Sequence, residues 1–237
     1  MKSVKFRMIA IALLSAAMPF TAKAQDKVEA SVGADLVSNY IWRGTDCGGV
    51  SIQPSMGVSY KGLSLAAWGS VGIDKEDARE IDLTLGYNTG GFNVSVTDYW
   101  FSYHKEDGGY TGDYFKYGAH STVHIFEATL GYDFGPLALS WNTYFAGDDY
   151  TKENGDRAYS TYVGISAPFK LGGLDWSAEV GLTPWEGAYA NKFNVTNLTL
   201  KAEKEIKFTN YFSLPTFAQV TFNPHTQGAY FVFGVSF

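Results

Sequence analysis

The chain ends on Gly228-Ala229-Tyr230-Phe231-Val232-Phe233-Gly234-Val235-Ser236-Phe237, and this stretch decides the fold. Apolar side chains occupy every second position, and the final residue is aromatic. Because successive side chains of a strand point to opposite faces, the segment presents one apolar row. An outward apolar row that ends on an aromatic residue is typical of the closing strand of a bacterial outer-membrane barrel. A core strand of a soluble β-sandwich has the same alternation and stays open as the alternative from this segment alone.

The same period-2 alternation recurs along the chain and predicts twelve strands. Their predicted ranges are 28–36, 52–60, 63–71, 81–87, 92–101, 124–134, 137–145, 161–169, 174–182, 198–206, 214–222 and 229–237. An irregularity is predicted at 99–101, where three aromatic residues follow one another. The last strand is expected to pair with the first, so that no sheet edge stays open.

The predicted connections alternate in length. Short turns fall near 61–62, 88–91, 135–136, 171–173 and 209–210, and longer polar loops at 44–50, 73–79, 104–113, 147–157, 184–192 and 223–227. A sandwich has no reason to segregate its loops in this way, whereas outer-membrane barrels have short periplasmic turns and long external loops. The predicted fold is therefore an all-β, transmembrane, antiparallel up-and-down β-barrel of about 12 strands.

Aromatic residues mark both ends of the predicted strands, as the two interfacial girdles of a membrane barrel would. Those beside short turns or the terminus are Tyr60, Tyr87, Phe92, Tyr132, Phe134, Phe169, Phe208, Phe212 and Phe237. Those predicted beside long loops are Tyr40, Trp42, Trp100, Phe145, Tyr159, Trp185 and Phe222.

The start of the chain has the pattern of a secretory signal peptide over residues 1–24, which leaves a barrel of residues 25–237. Lys2, Lys5 and Arg7 precede a short apolar run, and Ala22-Lys23-Ala24 is a small-x-small cleavage site. Cleavage leaves 14 Lys and Arg against 24 Asp and Glu, a net charge of −10. Such an acidic exported chain is unsuited to nucleic-acid binding. The predicted location is the bacterial outer membrane.

Two partners follow from this location. Membrane lipid would contact the apolar face of the strands, and the barrel-assembly machinery would recognise the terminal strand. The residues predicted to form that assembly signal are Phe231, Phe233, Val235 and Phe237.

The lumen is the predicted functional region. Alternation places Arg43 on an inward row with Glu29, Asp35 and Asn39. The pore-lining candidates are Asp35, Asn39, Arg43, Glu80, Asp82, Glu127, Glu179, Lys201 and Glu203. Because rings of charged side chains set ion preference, the excess of acids favours cationic solutes. Twelve strands lie between the filled interior of about 8 and the open channel of about 16, so passage of a solute stays undecided at this stage.

No catalytic arrangement, cofactor site or metal site is predicted. Cys47 is the single cysteine, and the four histidines are His104, His120, His124 and His225. Ser121 and His120 are adjacent and point to opposite faces, so they do not form a nucleophile and base pair. His120 and His124 share a face, which the register makes the outward one. The chain is predicted not to be an enzyme, with an outer-membrane hydrolase as the least favoured alternative.

The segment Ser38-Asn39-Tyr40-Ile41-Trp42-Arg43-Gly44 resembles the opening of the TorF-type porin family of small Gram-negative outer-membrane barrels. Trp68-Gly69-Ser70, Glu80-Ile81-Asp82 and Gly86-Tyr87 agree with it, and the likeness is clearest over residues 30–100. The resemblance implies a small barrel of the porin type and names no substrate. Cys47 and the acidic segment 75–77 have no counterpart in it.

Two functions therefore compete. The first is a porin that allows passive transport of small hydrophilic solutes, without a cofactor. The second is a non-conducting structural or surface-interaction barrel whose external loops, notably 108–112 and 184–187, bind a partner.

Overall fold

The structure, a computed structural model, describes residues 27–103, 105 and 111–237. Within them the chain forms fourteen strands: β1 Glu29–Val37, β2 Tyr40–Trp42, β3 Thr45–Gly48, β4 Ser51–Tyr60, β5 Leu63–Gly72, β6 Arg79–Thr89, β7 Phe92–Ser102, β8 Ile125–Asp133, β9 Ala138–Gly147, β10 Thr161–Leu171, β11 Leu174–Thr183, β12 Asn194–Lys207, β13 Ser213–Asn223 and β14 Gly228–Ser236. Twelve of them, β1 and β4 to β14, close an antiparallel barrel. The predicted fold is confirmed. The predicted signal peptide lies outside the described residues.

Each barrel strand pairs with its neighbour along the chain, and β1 closes the barrel by pairing with both β4 and β14. The β1–β4 pairing runs from Glu29 to Val37, whereas the β1–β14 pairing covers only Asp35 to Val37. Phe237 extends this seam, because its backbone exchanges two hydrogen bonds with that of Ala34. The predicted pairing of the first and last strands is therefore confirmed, across a short seam.

The barrel is apolar outside and polar inside. Along β4, Ile52, Met56 and Val58 are exposed on the outer face, while Ser51 and Gln53 are buried inside. The same division holds around the wall, where the exposed large side chains are apolar and the buried ones are mostly Ser, Thr, Asn, Asp and Glu. This is the reverse of a water-soluble barrel, and it suits a wall surrounded by lipid. In the part of the chain that the structure describes, no helix is long and apolar enough to cross a membrane.

Two-residue turns with left-handed backbone join several strands at one end. Gly90-Gly91 and Gly172-Gly173 have positive φ at both positions, as does Lys61-Gly62 with values of 50° and 87°. Such a type I′ turn matches the twist of the flanking strands, and glycine enters it without steric cost. Three of the predicted short connections are therefore turns of two residues.

The irregularity predicted at 99–101 is wrong. β7 pairs with β6 without a register shift over its whole length, and with β8 as far as Tyr99, because Tyr99 and Phe101 point inward while Trp100 points outward onto Tyr114. Three aromatic residues thus fit ordinary alternation. The register shifts instead between Phe126 and Glu127 on β8 and between Gly181 and Leu182 on β11.

The loop predicted at 44–50 is also wrong, because residues 40–48 form a hairpin. β2 and β3 pair through Trp42 and Thr45, and the turn between them consists of Arg43 and Gly44, with φ values of 50° and 79°. We call residues 40–48 the inner hairpin, since it lies inside the barrel against the walls described next.

Candidate functional site: the inner hairpin and its wall contacts

The inner hairpin crosses the lumen at the long-loop end and is anchored at its tip. The Gly44 carbonyl accepts a hydrogen bond of 3.0 Å from the Asn223 side chain on β13. Gly44 also lies against the backbone of Thr196 on β12, where a Cβ atom would come within 1.9 Å of the carbonyl oxygen. Thr196 sits at the β11–β12 register shift, so the wall is bent where the tip rests. Only glycine satisfies both the backbone conformation and this close approach.

Arg43, at the tip, is joined to the opposite wall by a buried ion pair. Its guanidinium donates to both carboxylate oxygens of Glu127 on β8, at 2.6 and 2.9 Å. The Arg43 and Glu127 side chains are 4% and 1% exposed. Bidentate geometry makes such a pair strong and fixes its orientation. The hairpin is therefore fastened to β8 as well as to β12 and β13.

Aromatic side chains enclose this ion pair. The Arg43 guanidinium carbon lies 4.3 Å from the Trp42 ring centre and 4.7 Å from that of Tyr162, distances suited to cation–π attraction. Arg43 also donates to the Tyr189 hydroxyl, which donates in turn to Tyr144 at 3.1 Å. Burial raises the pKa of the Tyr189 phenol to about 12, so the hydroxyl keeps its proton and its donor role.

Arg43 lies inside the barrel, but not for the predicted reason. β1 ends at Val37, so Arg43 is not on the row of Glu29, Asp35 and Asn39. It reaches the lumen because the whole hairpin folds inward. The girdle positions predicted for Tyr40 and Trp42 are wrong for the same reason: Tyr40 packs on the inward Trp68 at 5.5 Å, and Trp42 on Tyr99 at 5.7 Å.

Glu80 and Asp82 form an acidic pair on the inner face of β6. They lie two positions apart, so their side chains share the inward face. The Tyr40 hydroxyl of the inner hairpin hydrogen-bonds Glu80. Asp82 lies between the cross-strand residues Trp68 and Tyr99, and its carboxyl group hydrogen-bonds that of Glu80.

Glu179 belongs to a third buried group. It accepts hydrogen bonds from Tyr162 and from the Asn197 side chain, the latter at 3.0 Å. Gly181 makes room for the Tyr162 ring, because a Cβ at that position would overlap the hydroxyl. Tyr162 thereby links Glu179 to the Arg43 guanidinium above its ring.

The remaining pore-lining candidates lie away from the hairpin tip. Lys201 and Glu203 pair with each other at 2.6 Å on the inner face of β12, and Lys201 also lies over the Phe217 ring. Asp35 lies on the inward row of β1, level with Ser236 and Gln53. Asn39 directly precedes β2 and is partly exposed. The structure thus joins Arg43 to Glu127 directly and to Glu179 through Tyr162, whereas Glu80 with Asp82 and Lys201 with Glu203 form separate pairs.

Sequence reasoning missed several residues of this site. Tyr99, Tyr144, Tyr162 and Tyr189 surround the tip, and Asn223 holds it. Alternation does place Tyr99 and Tyr162 on inward rows, and large aromatic residues on a polar inward row are a usable signal of a filled lumen. Tyr189 lies in a loop and carries no such signal.

The two halves of the lumen differ in side-chain size. The inner hairpin, the acidic pair and the tyrosines fill the end toward the long loops, which we call the hairpin half. Toward the short turns, inward positions on β4 to β9 carry mostly small residues: Ser55, Gly57, Ser59, Ser64, Ala66, Gly86, Ser95, Gly131, Ala138 and Ser140. Half of these positions are buried, and Ser55, Gly57, Ser59, Ser95 and Ala138 are partly exposed. Because a barrel of twelve strands is wider than the eight-stranded barrel that side chains just fill, we call this small-residue end the vestibule.

His124 lies on the outer face, on the same row as Phe126, as predicted, but it is fully buried there. Its two ring nitrogens lie 2.7 Å from Asp98 and 2.7 Å from the Tyr114 carbonyl, beneath the rings of Tyr114 and Tyr117. Neither nitrogen is turned to a serine, so the described residues show no Ser–His pair here. His120 is exposed, and His104 lies outside the described residues.

No family model and no curated protein matches the chain. Among solved structures, it is similar to the crystal structure of BamA from Haemophilus ducreyi lacking POTRA domains 1–3, at 12% identity and a TM-score of 0.38. The similarity covers 81% of this chain and 41% of the BamA chain, so the chain spans less than half of that protein's length. A likeness this remote concerns the barrel alone and carries no argument about function.

Proposed function

We propose that the protein is an outer-membrane porin whose lumen admits small hydrophilic solutes, cations in preference to anions, past the inner hairpin. The observation that carries the proposal is the closed barrel with a polar lumen, lined by small side chains at one end and narrowed at the other by an inward-folded hairpin. A hairpin held by polar contacts inside a wider lumen is the arrangement expected of a constriction, which sets size and charge preference.

The outer face supports the membrane location. Apolar side chains are exposed around the wall, with aromatic residues such as Tyr60, Phe134, Phe169 and Phe222 near the two rims. In water this surface would be an aggregation hazard, whereas in lipid it is the favourable one. The predicted signal peptide, the assembly signal of Phe231, Phe233, Val235 and Phe237, and the TorF-type resemblance agree with this location and stay predictions.

Cation preference follows from the inward charges. Glu80, Asp82, Glu127 and Glu179 are buried in the hairpin half together with Arg43, and Lys201 is paired with Glu203 lower in the lumen. The wall therefore carries more negative than positive charge along the path. A solute that follows this path meets a field that attracts cations.

The burial of the constriction favours the second candidate, a non-conducting barrel. Arg43 and Glu127 are closed off from solvent, and the tyrosines around them are packed. In that case the hairpin would be a permanent plug and the external loops would carry the function.

Planar-bilayer recording of the purified full-length chain separates the two candidates. The porin proposal expects single-channel steps with a reversal potential that shows cation preference. Arg43→Ala should raise the conductance, because it removes the guanidinium that ties the tip to Glu127. Lys170→Ala, an exposed lysine at a short turn, is the matched control and should leave it unchanged. Absence of conductance in both polarities would overturn the proposal in favour of the plug, and anion preference would refute the charge argument.

A further inference from the structure

Residues 111–122 fold back over the outer face of β7 and β8, and we call this segment the outer strap. The ring of Tyr114 lies edge-on against the outward ring of Trp100, with ring centres 5.4 Å apart. The ring of Tyr117 lies 6.4 Å from that of Phe126, on the outward row of β8. The outer strap therefore covers a part of the barrel wall that would otherwise face lipid.

Asp98 and His124 meet beneath the outer strap. Asp98 lies on the outward row of β7, after the exposed apolar residues Val94 and Val96. Its side chain is 16% exposed, and that of His124 is fully buried. Because a charged side chain on the lipid side of a barrel wall is unfavourable, Asp98 needs both a cover and a positive partner.

The two ring nitrogens of His124 both face oxygen atoms that accept hydrogen bonds. Nδ1 lies 2.7 Å from a carboxylate oxygen of Asp98, and Nε2 lies 2.7 Å from the carbonyl oxygen of Tyr114. A carbonyl oxygen can only accept, so Nε2 carries a proton. A further proton must lie between Nδ1 and Asp98, because otherwise the ring lone pair would face a carboxylate oxygen. The pair therefore holds one proton more than a neutral histidine beside a carboxylate.

We propose that this extra proton acts as a pH-dependent latch that fastens the outer strap to the barrel wall. With the proton, the Tyr114 carbonyl and the Asp98 carboxylate both have a donor, and the pair carries no net charge. Without it, one of these two contacts is lost, and the charge of Asp98 is left uncompensated beside lipid. Because histidine ordinarily changes its charge between about pH 5 and 8, the attachment is complete at low pH and weakens as the pH rises.

The groups packed around His124 leave Asp98 as its charged partner. From the outer strap, the rings of Tyr114 and Tyr117 lie 5.3 and 4.3 Å from the imidazole. Partial burial and the nearby Asp98 carboxylate raise the pKa of the Tyr117 phenol to about 12, so this phenol does not titrate near neutral pH. From the end of β9, Asp148 donates its backbone amide to the His124 carbonyl, while its side chain is exposed. The latch lies outside the lumen and has no part in the proposed conduction.

Tryptic cleavage after Lys116 measures the attachment of the outer strap in the purified full-length chain in detergent micelles. Lys116 is exposed within the strap. Lys75, exposed in the loop between β5 and β6, is the internal reference that cancels the pH dependence of trypsin itself. We expect the ratio of cleavage after Lys116 to cleavage after Lys75 to rise at least tenfold from pH 6 to pH 9, because a buried hydrogen bond to a charged group is lost. A constant ratio would overturn the proposal.

Asp98→Asn separates a latch from a contact that is merely structural. The introduced amide can donate to Nδ1 of a neutral His124, while Nε2 still donates to the Tyr114 carbonyl. This variant should therefore keep the strap attached at pH 9, with a cleavage ratio within about twofold of that at pH 6, because neither contact then needs the extra proton. His120→Gln, which replaces an exposed histidine of the same strap, is the matched control and should keep the full pH dependence. An unchanged pH dependence in Asp98→Asn, or its loss in His120→Gln, would refute the latch.

Nitrogen-15 NMR of the histidine-labelled original chain gives a readout that does not require any variant to fold. The His124 signals can be assigned through the contact of the imidazole with the Tyr117 ring. Because a carboxyl group is ordinarily a stronger acid than an imidazolium, both ring nitrogens should be protonated at pH 6. One of them should lose its proton over the same pH range in which cleavage after Lys116 rises. A His124 ring with a single proton at pH 6 would contradict the proposal.

Discussion

Thr97 and Ser95 lie two positions apart on the same inward row of β7, yet they face different halves of the lumen. Thr97 lies in the hairpin half, where it is buried and its hydroxyl oxygen is hydrogen-bonded to that of Thr84 at 3.0 Å. Ser95 lies in the vestibule and is partly exposed. Strand geometry is the same at both positions. On β7 the constriction is therefore made by the inner hairpin and by large side chains, because the strand itself stays regular.

The two halves should therefore respond differently to the same substitution. In the hairpin half, charge and shape are matched across long distances in sequence, so one change leaves a buried group unsatisfied or overpacked. In the vestibule, the inward side chains are small and Ser95 is partly exposed, so a larger side chain at that position has room.

The largest effect is expected for Glu127→Ala. Removing this carboxylate leaves the Arg43 guanidinium buried without its counter-ion, which should lower the free energy of unfolding by about 3–5 kcal/mol. Urea unfolding in detergent micelles measures it. The double variant Glu127→Ala with Arg43→Ala should recover part of the loss, because no charge is then left unpaired. An additive double variant would show that the pair is not coupled.

The second effect is expected for Gly44→Ala at the hairpin tip. The left-handed backbone and the clash with the Thr196 carbonyl should together lower the free energy of unfolding by about 2 kcal/mol. Gly172→Ala is the matched control, because Gly172 has a φ of 61° and no atom near its Cβ position. Gly172→Ala should lower the free energy of unfolding only by the smaller amount that the left-handed backbone costs. Equal losses would show that the tip does not rest tightly on β12.

The third prediction applies the comparison directly. Thr97→Phe should lower the free energy of unfolding by about 1.5 kcal/mol, because it overpacks the hairpin half. Ser95→Phe should change it by no more than about 0.5 kcal/mol, the range of substitutions outside packed regions. Both variants are compared by urea unfolding under identical conditions. A larger loss for Ser95→Phe would mean that the vestibule is packed rather than open.

The strands could be predicted from sequence because alternation is local. Each of the twelve barrel strands carries its own apolar row, and Glu80, Asp82, Glu127 and Glu179 fall inward by counting from it. The inner hairpin could not be predicted in this way. Its decisive contacts join Arg43 to Glu127, 84 positions away, and to Tyr189, 146 positions away, which no local period records.

The hairpin turn did carry one local signal. Arg43-Gly44 occupies a two-residue turn of the same backbone type as Lys61-Gly62, and both pair a long cation with glycine. The pattern at 61–62 was interpreted as a turn because polar and apolar rows end there. At 43–44 the alternation places Arg43 on the inward row with Asn39, and Gly44 begins the predicted loop 44–50, so a two-residue turn is not predicted there. Left-handed arginine costs about 1 kcal/mol or more, which the ion pair with Glu127 offsets.

The smallest effect is expected at the seam, far from the hairpin. Deleting Phe237 removes two backbone hydrogen bonds to Ala34, of which the better formed is 2.9 Å long, and should lower the free energy of unfolding by about 1 kcal/mol. Phe237→Ala keeps those bonds and is the control for folded stability. Assembly into the outer membrane is the separate readout: if the exposed aromatic side chain is the assembly signal, both variants should accumulate less in the membrane. Normal insertion of both variants would contradict that role. A loss of stability in the deletion variant alone would still show that the short β1–β14 seam depends on the backbone hydrogen bonds between Phe237 and Ala34.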